Sequence, residues 1–226
     1  MRLLSVGAVL EHDKLNITSI EESSLHRLPD LETFTHIIIS GGDGTIRRVI
    51  KKLDKMTYSA SFILNPTGSF NVVAKLHKVP KLDIILDALA NGKAIQTQRH
   101  HYFRLNEEVF LFSAGNMGDL QHIFLSETLR FGLFKNNMGK YILAVLFLLP
   151  LHIIMTPFML LSKNRFFIFT PARFIKKFGS FYGDVKEMTI ELENTYNHLE
   201  LDGDIVTIED NILHIQPAGH ILIATA

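Results

Sequence analysis

Ile37-Ile38-Ile39-Ser40-Gly41-Gly42-Asp43-Gly44-Thr45 is the segment around which the chain is organised. An apolar run ends in three glycines interrupted by one carboxylate, and a polar, helix-compatible segment, Ile46 to Lys55, follows at once. That order predicts strand, tight turn, helix. Gly41, Gly42 and Gly44 are free to take positive φ and to bring the backbone close to a ligand with no Cβ in the way. The N–H groups that open the following helix face an anion with a favourable dipole behind them. A phosphate is the natural guest, although an ordinary glycine-rich turn satisfies the same pattern. Asp43 would repel a bare phosphate and fits where a divalent cation or a sugar hydroxyl lies between them.

The flanking segments extend this grammar. Residues 2 to 10 are apolar and β-compatible, and Asn16 to Ile20 reads as a second short strand. Glu21 to Leu31 fits a short helix or a loop equally well. Ala60 to Leu64 is another buried-type strand, ending at Asn65-Pro66-Thr67-Gly68-Ser69, and a helical pattern resumes over Phe70 to His77. Leu82, Ile85, Leu86 and Leu89 then make an amphipathic helix closed by Asn91-Gly92. Strands alternating with helices imply a parallel α/β sheet, with both glycine turns at the carboxyl ends of strands, where such sheets bind ligands. Gly68 lets the backbone approach, and Ser69 offers a hydroxyl at a helix start, where it also serves as an N-cap. Two such turns on successive strand ends form one crevice.

Beyond Ala94 the pattern changes. Ile95 to Leu105 and Val109 to Ala114 read as paired strands around Asn106-Glu107-Glu108, and Gly118 to Leu129 as a helix. Met188 to Glu193, Leu199-Glu200-Leu201 and Leu213-His214-Ile215 alternate as half-buried strands do, which predicts a mostly antiparallel second domain. The boundary falls near residue 95, giving an α/β domain over 1–95 and a β-rich domain over 96–226. Near the chain end, Leu199-Glu200-Leu201-Asp202-Gly203-Asp204 sets two carboxylates about a glycine at a strand end. One would accept a proton from an attacking hydroxyl while the other orients it or holds a metal; a solvent turn is the plain alternative.

Composition excludes several classes. The 226 residues are 47% apolar with 17 Phe, enough for a sizeable core. With no cysteine there is no disulfide framework and no thiolate site, which fits a reducing, cytoplasmic compartment. Lys+Arg and Asp+Glu are 23 each, so nothing global argues for nucleic acid. Tyr141 to Leu161 is the most apolar stretch, long enough to raise a membrane span of about 20 residues, but Pro150, His152 and Pro157 interrupt it. Lys163, Arg165, Arg173, Lys176 and Lys177 follow, with no acid from Ser162 to Gly183. A packed helix is the plain reading; an apolar surface with a cationic rim is how a peripheral protein docks on anionic lipid. His100-His101 are adjacent on a strand and point to opposite faces, so the histidines offer no shared metal site.

Together the motifs resemble a known family. Gly41-Gly42-Asp43-Gly44-Thr45 resembles the signature shared by diacylglycerol kinases, sphingosine kinases and NAD kinases. Pro66 to Ala74 resembles the second motif of the lipid-kinase branch, Pro-x-Gly-Thr-x-Asn-x-x-Ala, with Ser69 in place of Thr. Asp202-Gly203-Asp204 resembles that branch's late Asp-Gly-Glu, and Asn116-Met117-Gly118-Asp119 its small-residue turn early in the second domain. The resemblance implies an α/β nucleotide-binding domain joined to a β-sandwich domain, with ATP and Mg²⁺ as cofactors. Gly41, Gly42, Asp43, Gly44 and Thr45 would hold the phosphates, with Asp43 near metal or ribose, and Gly68, Ser69 and Asn71 would line the other side. Asp202 would be the general base and Asp204 its acidic partner. The implied activity is ATP-dependent phosphorylation of a diacylglycerol-like or long-chain lipid hydroxyl in phospholipid metabolism, by a peripheral protein on the inner face of the membrane. A homodimer stays open. A catalytically weakened binding relative and an NAD kinase are the alternatives. The chain departs from the family in lacking an Asn-Pro-x-x-Gly loop after its first strand, in Gln96-Thr97-Gln98 where the family often has an Asp, and in Arg47-Arg48 where it commonly has Asn-Glu. The two arginines would either bind phosphate directly or mark a site that has drifted.

Overall fold

The computed structural model describes residues 1–116, 166–170, 180–182 and 185–225. The apolar stretch Tyr141 to Leu161, its basic followers, the helix expected from Gly118 and the Met117-Gly118-Asp119 part of the small-residue turn lie outside the described residues. Among the described residues, no helix is long and apolar enough to cross a membrane.

The chain divides into two compact units, Met1–Phe112 with Ile215–Ala226, and Ser113–His214. In the first, β1 (Arg2–Val6), β2 (Asn16–Ile20), β3 (His36–Gly41) and β4 (Ser61–Pro66) pair in parallel, in the order β2-β1-β3-β4. Their period-2 side chains serve two covered faces. Leu3, Ile38 and Ile63 point to one face and pack on Ile85, Leu86 and Leu89 of α3 (Leu82–Ala90). The alternate residues Leu4, Ile37, Ile39, Phe62 and Leu64 are equally buried on the other face. Helix α1 (Asp43–Leu53) packs on β3 and buries Ile46, Val49, Ile50 and Leu53, at the i, i+3, i+4, i+7 spacing that one helix face requires. The predicted end of α3 is borne out: Gly92 takes φ +68, and the Gly92 and Lys93 amides close the helix on Leu89 O and Ala88 O. Glu22–Arg27, where helix and loop fitted equally, is a short 3-10 helix.

Strands β5 (Gln96–Leu105) and β6 (Glu108–Phe110) form the hairpin expected around Asn106 and Glu107. The last strand is longer than the alternating Leu213-His214-Ile215 suggests. β13 (Ile212–Thr225) inserts between β4 and β5, parallel to the first and antiparallel to the second. Gln96, where the sequence places the start of a second domain, is thereby held opposite Thr225 in the first sheet. Pro217 and Gly219 interrupt the alternation at a bulge, which hides this strand from a period-2 reading.

The second unit holds a five-stranded sheet in the order β12-β11-β7-β8-β9: β7 (Ser113–Gly115), β8 (Phe167–Phe169), β9 (Ser180–Tyr182), β11 (Asn197–Leu201) and β12 (Asp204–Ile208). Its pairings are antiparallel except β8 with β9. β10 (Met188–Glu191) pairs with β13. A parallel α/β unit with a mostly antiparallel second unit is the fold class expected from the sequence.

Candidate active site

The first glycine turn is tighter than expected. Gly41 is the last residue of β3, Gly42 caps the helix with φ −93 and ψ −174, and α1 begins at Asp43, not at Ile46. Neither Gly41, Gly42 nor Gly68 is among the positive-φ glycines, and Gly44 sits in the first turn of α1. The glycines are needed for close approach instead. A Cβ on Gly41 would lie 2.5 Å from the Thr45 side chain, and one on Gly68 would lie 2.6 Å from the Gly42 Cα. The two turns are therefore packed backbone to backbone, and the Thr67 amide donates to Gly41 O at 3.1 Å to continue the β3–β4 pairing. The N-cap of α1 is Gly42, which has no side chain to cap it, and the first-turn amides present the positive end of the helix at the carboxyl edge of the sheet.

The second turn leads into α2 (Val72–Leu76). Asn71, not Ser69, occupies the N-cap position, in the left-handed region with φ 49. Its side chain closes the turn on itself, donating to Gly68 O at 2.6 Å and accepting the Gly68 amide at 3.1 Å. Ser69 is exposed. The capping of α2 comes from the first turn: the Asp43 carboxylate accepts the Val72 amide at 2.7 Å and the Val73 amide at 3.0 Å. Asp43 is 7% exposed. Burial raises its pKa, against the opposing pull of the Val73 and Val72 amides and the Lys75 charge. At the same strand ends, Asn65 donates to Ser40 Oγ at 3.0 Å. This polar pair was missed in the sequence, because only the parallel β3–β4 register sets residues 40 and 65 side by side.

The arginine pair meets carboxylates on either flank of α1. Arg47, 4% exposed, meets Glu108 at 3.2 Å, and Lys51 meets the same carboxylate at 2.5 Å. Arg48 and Lys52 meet Glu22 at 3.1 and 3.0 Å, and Arg48 also donates to Thr45 Oγ1 at 3.2 Å. Burial works to raise the Glu22 carboxyl, but hydrogen bonds and charge from Lys52 and Arg48 outweigh it and hold it low. Arg47 and Lys51, and Arg48 and Lys52, are each one helical turn apart, so α1 is gripped by one carboxylate on each flank.

At its far end α2 joins β5 through histidines that looked unconnected in sequence. His77 Nε2 lies 2.9 Å from His100 Nδ1, and His77 Nδ1 lies 3.1 Å from Gln98 Oε1. Both rings are buried, and burial, then the His77 ring, push the His100 pKa down to about 4.

In the second unit, Asp202 and Gly203 form the two-residue turn between β11 and β12, with φ +53 and +89. Positive φ at both positions is the hairpin geometry that Asp-Gly favours. Asp202 is buried, accepts the Ser113 amide at 3.0 Å and donates its own amide to Ser113 O at 3.1 Å. Asp204 opens β12 opposite Leu201. Glu200, which the sequence reading left aside, accepts from Ser113 Oγ at 3.2 Å and from the Gly203 amide at 2.5 Å. Asn116 pairs with Phe166 through its amide and its side chain. Among the described residues, no group of three or more His, Asp or Glu side chains is placed to hold a metal ion.

Residues 10–101, which include both glycine turns, α1 and α2, match the family described as the diacylglycerol kinase catalytic domain. The similarity to that catalytic domain is confined to this segment of the chain. A crystal structure of a diacylglycerol kinase from Bacillus anthracis str. Sterne is similar over 100% of this chain and 96% of its own, with 12% identity and a TM-score of 0.59; at that identity the likeness shows the fold alone. An NAD kinase from Archaeoglobus fulgidus in complex with ATP is similar over 99% of this chain and 93% of its own, with 14% identity and a TM-score of 0.48, too low to carry weight. No curated protein matches the sequence.

Proposed function

We propose that this protein is an ATP-dependent lipid kinase that phosphorylates a hydroxyl of a diacylglycerol-like or long-chain lipid at a membrane surface. One observation carries the reading: inside the segment that matches the kinase family, two glycine turns pack backbone to backbone beside the amino end of an 11-residue helix. Phosphoryl transfer asks mainly for positioning and charge neutralisation, which amides at a helix start supply. Gly41 to Thr45 hold the nucleotide phosphates, and Gly68, Ser69 and Asn71 border them. By family resemblance, Asp202 is the general base on the acceptor hydroxyl and Asp204 its acidic partner.

A Mg²⁺ ion would arrive on the nucleotide, since such ions keep water and phosphate ligands and need few protein carboxylates, and among the described residues no cluster of His, Asp or Glu is placed to hold one. When bound, the ion would neutralise charge on the transferred phosphoryl group. A second reading, a relative that binds nucleotide or lipid without turnover, is favoured by the commitment of both Asp43 oxygens to backbone amides. A panel of diacylglycerol, long-chain lipid and NAD acceptors, with and without anionic vesicles, separates the readings. Transfer to lipid supports the kinase, transfer to NAD overturns the lipid assignment, and tight ATP binding without transfer leaves the binding relative.

A further inference from the structure

We infer that Asp43 is a positioning residue that locks the second glycine turn onto the first, and that it acts through the Val72 and Val73 amides and not as a metal ligand. The inference rests on the proposed nucleotide site only for its second test.

Helix α2 has five residues, too short to persist without tertiary support. Its own N-cap residue cannot supply that support, because Asn71 spends its side-chain oxygen and nitrogen on Gly68. The amides that a cap would satisfy are taken instead by a carboxylate 29 and 30 residues earlier in the chain, at 2.7 and 3.0 Å. Asp43 is itself the first residue of α1, so its side chain ties the start of one helix to the start of another. The same junction is closed from the other side by the approach of Gly68 to Gly42 and by the Thr67 amide on Gly41 O. A charge that looked unexplained beside a phosphate has its partners here: two N–H donors aligned with a helix start. With both oxygens so occupied and the side chain 7% exposed, the carboxylate shapes the turns that meet a ligand.

Two measurements on the full chain test this. The first is amide hydrogen exchange at Val72 and Val73, which needs no ligand. Asp43→Ala is expected to speed exchange there about tenfold, the factor that follows from losing a cap, while the Ile38 and Ile39 amides stay protected. Asp43→Asn, which keeps one acceptor oxygen, falls between and serves if the alanine variant does not fold. Unchanged protection at Val72 and Val73 in the asparagine variant overturns the inference. The second is ATP affinity of Asp43→Asn with Mg²⁺ and with EDTA. A positioning role weakens both by the same factor; a loss confined to the Mg²⁺ arm identifies a metal ligand and overturns it. Absence of ATP binding by the unaltered protein would count against the proposed function, while the exchange result still decides the role of Asp43.

Discussion

A Cβ on Gly68 would stand 2.6 Å from the Cα of Gly42 and 2.9 Å from Asn71 Oδ1, whereas a Cβ on Gly42 would stand 3.3 Å from the Gly68 Cα. The first contact is with backbone and cannot be relieved by a side-chain rotation. Gly68→Ala therefore has to push the two turns apart, and Gly42→Ala needs a shift of only a few tenths of an ångström. ATP affinity measured by calorimetry is expected to fall about tenfold or more for Gly68→Ala, and by clearly less for Gly42→Ala. The reverse order would contradict the packing of the two turns.

Glu108 receives Arg47 and Lys51 from successive turns of α1. Arg47 is 4% exposed, so removing Glu108 takes a carboxylate partner from a buried cation. Glu108→Ala is expected to cost about 3 kcal/mol in urea unfolding. Its neighbour Glu107 pairs with Lys55 where both side chains are well exposed, 90% and 78%. Glu107→Ala is expected to change stability by less than about 0.5 kcal/mol. Equal effects from the two would contradict a structural role for the arginine pair.

The His77–His100 contact makes stability depend on pH. The unfolded His100 ring takes a proton near its ordinary 6.5, while burial and then the His77 ring hold it neutral in the fold down to about 4. Between those values the unfolded chain binds more protons, so stability is complete above about pH 6.5 and is lost as pH falls toward 4. The drop amounts to about 3 kcal/mol from this one group. Urea midpoints measured from pH 7 to pH 4 should fall for the unaltered protein and flatten for His100→Phe. An unchanged slope in that variant would show that other groups carry the acid sensitivity.

Much of the fold is legible in local sequence because its signals are local. Ile37 to Thr45 carries a strand, a turn and a helix start within ten residues, Ala60 to Ser69 a strand and a turn, and Asn91-Gly92 marks the end of α3. What escaped depends on contacts that no spacing displays. Asp43 meets amides beyond the second turn, Arg47 meets a glutamate on β6, and Gly68 needs to be glycine because of Gly42. Arg47 and Arg48, which the sequence sets near the glycine turn, have carboxylate partners in Glu108 and Glu22, and Arg48 also bonds Thr45 of the turn. At the chain end, a proline and a bulge concealed the strand that returns between β4 and β5. Asp202-Gly203 is a tight turn, as its residue types suggest, but its acid is buried on the Ser113 amide and does not face solvent.

The central claim, transfer of phosphate from ATP to a lipid hydroxyl, is tested most directly with ATP labelled in its γ-phosphate, Mg²⁺, and mixed vesicles of diacylglycerol and anionic phospholipid. After extraction, label is expected in the lipid fraction, raised by the anionic component and lost in Asp202→Asn. Label that stays wholly in nucleotide and free phosphate, in a protein that binds ATP well, would contradict it.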